Sequence, residues 1–234
     1  MNQLPLSAAL DDILRQTRHL LLDFDGPVCT VFAHLPAATV ADGLRQIITA
    51  EAVPLPESVA ATADPLAVLS FAATISPDLA ARVESELGDQ ETAAVATAAP
   101  AGYIHELVSS CRESGRSVSV ISNNSARAVQ SYLERNSLDG PIGLVLARNS
   151  ADMLKTEGDL IDAAIAALET APAACALVTA SASALEAASL TGTHALGYAR
   201  MPGSRETLTA AGADTVIRSL ADLALRLRAR PLPN

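Results

Sequence analysis

The chain has 234 residues, a net charge of −10, half its residues apolar, only 3% aromatics and no tryptophan. That length and apolar content supply a sizeable core of Ala, Leu and Val, and the acidic balance argues against non-specific attraction to nucleic acid or an anionic membrane. Cys29, Cys111 and Cys175 are too few and too scattered for a disulfide framework or a zinc site. Met1–Arg15 has no signal-peptide core and no run approaches a membrane span, so a reduced, cytoplasmic protein is expected.

The first clear element is the apolar run Leu20-Leu21-Leu22, closed by Asp23-Phe24-Asp25-Gly26-Pro27. It reads as a short buried strand ended by a Gly-Pro turn. From 33 to 99 the pattern is helical, with Leu44, Ile47 and Ile48 at helical spacing. A second helix enters at Asp64-Pro65, and a third opens at Pro77-Asp78 and is predicted to stop near Gly88. From Ile104 onward helices and strands alternate. Strands are predicted at 117–122, 142–147, 175–178, 194–198 and 215–217. Helices are predicted at 104–112, 126–135, 160–168, after the 175–178 strand to about 190, at 206–211 and at 220–227. This rhythm predicts an α/β fold: a doubly wound, mostly parallel Rossmann-like sheet with an inserted α-helical cap. The core would comprise residues 1–32 and 100–234, and the cap residues 33–99.

Three strand ends carry side chains suited to chemistry. Asp23 could act as a nucleophile toward a phosphoryl group, and Asp25 as the acid that protonates a leaving oxygen and then activates water. Alternate strand residues face opposite ways, so the two carboxyls converge only if the chain bends after Asp23. Taken alone, the pair also reads as a turn cap. Ser122 and Asn123, where the 117–122 strand ends, offer a hydroxyl and an amide to a phosphate oxygen, or ordinary turn contacts. Lys155 is the only lysine beside fifteen arginines. A compact ammonium suits a place between a carboxylate and a phosphate better than a wide guanidinium does. Arg200 could meet an anion or sit on the surface. His34 stands where the chain enters the cap.

The order of these features resembles the haloacid dehalogenase-like hydrolase superfamily, mostly phosphatases, over nearly the whole chain. Asp23-Phe24-Asp25-Gly26-Pro27-Val28 matches its first motif, Ser122 with Asn123 its second and Lys155 its third, although Thr156 stands where proline often follows. The resemblance implies Asp23 as nucleophile, Asp25 as general acid/base, and Ser122, Asn123 and Lys155 around the phosphoryl group of a small phosphorylated metabolite. It also implies Mg2+ on the Asp23 carboxylate and the Asp25 backbone carbonyl. The fourth motif departs: Ala180 and Ala184 occupy the places of the acids that help hold the ion. Three accounts stand open, namely a shifted frame using Glu186, metal-independent hydrolysis, and a catalytically impaired site kept as a binding or regulatory module.

Overall fold

The computed structural model describes residues 6–150 and 154–232. Helix α1 (Leu6–Gln16) leads into strand β1 (His19–Asp23). Four helices follow: α2 (Ala37–Ala50), α3 (Glu57–Ala60), α4 (Pro65–Ile75) and α5 (Pro77–Val95). Then come α6 (Ile104–Glu113), β2 (Ser117–Ser125), α7 (Ala126–Arg135), β3 (Leu144–Arg148) and α8 (Glu157–Ala167). The chain closes with β4 (Cys175–Thr179), α9 (Ala182–Thr191), β5 (His194–Tyr198), α10 (Ser204–Ala210), β6 (Thr215–Ile217) and α11 (Leu220–Arg228).

The six strands form one sheet in the order β3-β2-β1-β4-β5-β6, and every pairing is parallel. This is the doubly wound arrangement expected, with β1 central. Period-two alternation builds the two faces. Leu20 and Leu22 enter one apolar cluster with the side chains of α6, α7 and α11, while Leu21 enters the other with those of α8 and α9. Because β1 lies between β2 and β4, the strand orders on either side of it diverge there. Ligands of open α/β sheets bind at such a point, beyond the carboxyl ends of the strands.

The inserted helices have an apolar cluster of their own, built on Val40, Leu44, Val68, Leu69, Val83 and Leu87. Asp64 caps α4, accepting a hydrogen bond from the Leu66 N–H at 2.9 Å, and Ser76 caps α5 in the same way through Leu79. Each cap is followed by a proline at the first helical position, where no N–H is needed.

Helix α5 does not stop near Gly88 as the sequence predicts. It runs on to Val95, and Ala94 and Val95 join the core cluster. A methyl group on Gly88 would stand 3.4 Å from Arg127 Nη2 and 3.6 Å from the Ser125 side chain. The glycine therefore serves the close approach of α5 to the start of α7, a packing reason that outweighs its helix-breaking tendency. Helix α1 was not foreseen. Among the described residues no helix is long and apolar enough to cross a membrane.

Candidate active site

The ends of β1, β2, β4 and β5 meet the inserted helices around a cavity of about 640 Å³. Asp23, Asp25, Ser122 and Asn123 all line it, with Asn124, Glu157, Ala180 and Arg200, while Asp64, Pro65 and Leu66 close it from the cap side. The bend required for the two aspartates to converge is present. Phe24 turns into the core, where its ring meets Tyr132 edge-on at 5.4 Å, and Gly26 takes φ +119°. A methyl on Gly26 would lie 3.1 Å from the Ala180 Cβ. Gly26→Ala is therefore expected to cost about 1–3 kcal/mol through backbone strain and that contact. Chemical denaturation checks this, and an unchanged midpoint would show that the bend does not need glycine.

Asp23 is partly buried and sits beside Thr179, one step beyond the Leu22–Val178 register pair of β1 and β4. The Thr179 hydroxyl donates to Asp23 Oδ2 at 2.6 Å. Burial pushes the Asp23 pKa up to about 8; the Thr179 and Asp25 N–H hydrogen bonds oppose the rise, and the negative fields of Glu157 and Asp25 add to it. Burial also raises Asp25, against the pull of the Val31 N–H (3.2 Å) and the Arg200 guanidinium. Glu157 is raised by burial as well. Three carboxyls thus share a space that disfavours their charged forms, and Asp23 holds its proton at neutral pH.

Ser122 is buried, and its oxygen accepts from both the backbone and side-chain N–H of Asn124, each at 3.0 Å. Its own proton remains for a further acceptor. Asn123 lines the cavity and also binds the main chain of Lys155: Nδ2 donates to the carbonyl at 2.8 Å, and Oδ1 accepts from the N–H at 3.1 Å. Asn123 thus clamps the β3–α8 loop, and its second Nδ2 proton is not used by that pairing.

Lys155 is not among the residues lining the cavity, and its charge helps to lower Asp159. Thr156 and Asp159 form a capping box that starts α8. The residue of this loop that enters the cavity is Glu157, in the first turn of α8. Sequence reasoning missed it, although an acid two residues after Lys155 in a predicted helix entry was visible.

The Mg2+ site implied by the resemblance is not met by this donor set. Ala180 offers no ligand atom from the cavity wall, Ala184 is buried in the core cluster of the α8–α9 face, and Thr179 already engages one Asp23 oxygen. Among the described residues no three acids, histidines or cysteines stand together so as to hold a metal. Glu186 is exposed on α9 and does not line the cavity, so the shifted frame gains no support. His34 is exposed and does not line it either, and Cys29 is a buried free thiol whose pKa burial drives upward.

One wall is fixed by a buried ion pair that sequence reasoning did not find. Arg148 at the end of β3 and Glu91 on α5 are both almost fully buried, and their paired contacts measure 3.1 and 3.0 Å. Glu91 also accepts from the Ser125 N–H at 2.7 Å, and Arg148 donates to the Asn123 carbonyl. The pair joins the last cap helix to the strand ends that carry Ser122 and Asn123.

No protein-family model matches the sequence, and no curated protein matches it. Solved structures match the fold over nearly the whole chain. A predicted phosphatase from Clostridium acetobutylicum aligns with a TM-score of 0.68 at 17% identity, covering 90% of this chain and 98% of that one. A predicted phosphoglycolate phosphatase from Haemophilus somnus gives 0.63 at 14% identity over 89% and 96%. The L-2-haloacid dehalogenase from Xanthobacter autotrophicus gives 0.58 at 15% identity over 91% and 98%.

Proposed function

We propose that this chain, whose fold is that of haloacid dehalogenase-like hydrolases, hydrolyses a small phosphate monoester through an aspartyl-phosphate on Asp23. The observation that carries this reading is the convergence of Asp23, Asp25 and the Ser122 hydroxyl on one cavity, with a single guanidinium in its wall. In the first step a deprotonated Asp23 oxygen attacks phosphorus, the P–O bond to the alcohol breaks, and Asp25 gives its proton to the departing oxygen. In the second step Asp25 takes a proton from water, whose oxygen attacks phosphorus; phosphate leaves and Asp23 is regenerated. The Ser122 proton is available to a phosphoryl oxygen, and Asn124 orients that hydroxyl. Neither Ala180 nor Ala184 brings a cation to Asp23, so its first-step form is populated above its pKa of about 8. Because the same step needs Asp25 protonated, kcat/KM is expected to follow a bell-shaped pH profile with one limb from Asp23 and the other from Asp25.

A panel of small phosphate monoesters, assayed with magnesium and with chelator, tests this reading. Turnover that survives chelation is the expected result, and Ala180→Asp is expected to introduce stimulation by magnesium. Loss of all turnover on chelation would show that the natural site recruits a metal despite its donor set. A second reading, ligand binding without turnover, is favoured by Ala180 and by the position of Lys155. Phosphate-ester binding without hydrolysis across the panel would establish it and remove the first.

A further inference from the structure

We propose that a second cavity, lined by α1, α10 and the outer face of α11, binds a small organic phosphate with an apolar body. Its volume is about 580 Å³, and none of its lining residues lines the catalytic cavity. The inference therefore stands whether or not the hydrolase reading does. Helix α11 turns Leu220, Leu223, Ala224 and Leu227 into the core. Its 3.6-residue period carries Leu225 and Arg226 to the other side, where Leu10 and Asp11 of α1 and Arg205 of α10 complete the lining. Leu10 and Ile217 at the cavity wall are buried, while Leu225 is 69% exposed, so apolar surface is open to a ligand.

Four arginines and two aspartates line this cavity, a local excess of positive charge in a chain of net charge −10. At physiological ionic strength, charges more than about 8 Å away are screened, so a ligand senses that excess rather than the net charge. Structural pairing accounts for half of the arginines. Asp11 meets Arg226 at 2.8 Å and Arg230 at 2.6 Å, which ties α11 to α1 with one carboxylate for two guanidiniums. Arg205, in the first turn of α10, and Arg218, just after β6, enter no ion pair or side-chain hydrogen bond among the described residues. One planar fork already satisfies the two oxygens of a carboxylate. Two forks from separate elements suit the three terminal oxygens of a phosphate.

The probe is phenylphosphonate, a non-hydrolysable dianion in mildly alkaline buffer, followed through the backbone amide chemical shifts of the isotope-labelled chain. The amides of Asp11, Arg205, Arg218 and Ala229 are expected to move, while those of Asp25 and Ser122 report separately on the catalytic cavity. Arg205→Gln combined with Arg218→Gln is expected to weaken the first titration about 10–100-fold, the worth of hydrogen bonds to a charged group, and to leave the second unchanged. Neither side chain has a partner to lose, so the double variant keeps the fold. Methylphosphonate, which lacks the ring, should bind at least about tenfold more weakly. Benzoate, which carries the ring on a carboxylate, should also bind more weakly. Shifts confined to the catalytic cavity, or a titration that the double variant leaves unchanged, would overturn the proposal. Equal binding of methylphosphonate would reduce the site to a bare anion contact, and equal binding of benzoate would remove the preference for phosphate. Either result overturns the ligand class assigned.

Discussion

Asp23→Asn is expected to abolish the proposed turnover and, above pH 8, to make the protein more stable than the native sequence. The first effect follows from removing the attacking oxygen, and losses for nucleophiles of this kind exceed about 10³-fold. The second follows from linkage. The Asp23 pKa moves from 3.8 in the unfolded chain to about 8 in the fold. Between those values the native state binds more protons than the unfolded state, so the contribution of Asp23 to stability is whole below 3.8 and declines as pH rises through 8. The slope approaches about 1.4 kcal/mol per pH unit at most, and the accumulated difference is on the order of 3 kcal/mol because Asp23 keeps some contact with water. Asn has no charge to desolvate and accepts the Thr179 hydroxyl through its carbonyl. Thermal unfolding of both proteins from pH 5 to pH 9 should give curves that diverge with rising pH. Parallel curves would mean that Asp23 ionises freely in the fold, and the limb of the kcat/KM profile assigned to it would lose its basis.

Breaking the Glu91–Arg148 pair from one side is the second large effect. Both side chains are buried, with contacts of 3.1 and 3.0 Å, and Glu91 further satisfies the Ser125 N–H. Removing Arg148 leaves the buried Glu91 without its cation, which costs about 3–5 kcal/mol, whereas removing Glu91 leaves Arg148 with Glu84, 3.5 Å from its Nε. Arg148→Met should therefore lower Tm by about 10 °C, and Glu91→Ala by less. The double change Glu91→Leu with Arg148→Met replaces the charges by apolar volume and should recover much of that loss, because two desolvated ions are no longer required. Additive losses in the double variant would show that packing, and not the pairing of charge, dominates at this position. The consequence also reaches the cavity. Arg148 holds the Asn123 carbonyl and Asn123 holds Lys155, so the single variants loosen the loop that presents Glu157.

The features legible in the sequence are those set by short-range physics. The boundaries of α7, β5 and β6 coincide with the predicted segments because each is bounded by turn residues and carries its own apolar pattern. The convergence of Asp23, Asp25 and Ser122 was legible because a parallel strand ends its register at a common edge, and Gly26 marked the bend. What escaped depends on partners distant along the chain. Gly88 reads as a helix stop until Ser125 and Arg127 are packed against it. The side chains of Asn123 and Lys155 suit a phosphate, but nothing local shows that the Asn123 amide also binds the Lys155 main chain 32 residues away. Glu91 and Arg148, 57 residues apart, carry no local sign that they meet.

The placement of β1 at the middle of the sheet has a consequence for how the protein is made. Its two neighbours, β2 and β4, begin only at Ser117 and Cys175. The Leu20-Leu21-Leu22 segment leaves the ribosome early and must wait for residues 24–116 before either flank can be paired. At ordinary synthesis rates that interval is about 5–20 s. During it this apolar strand has both edges open, while α2–α5 can collapse on the cluster of Val40, Leu44 and Leu69. The insertion that roofs the cavity in the finished molecule is, during translation, the interval over which a central strand has no partner on either edge.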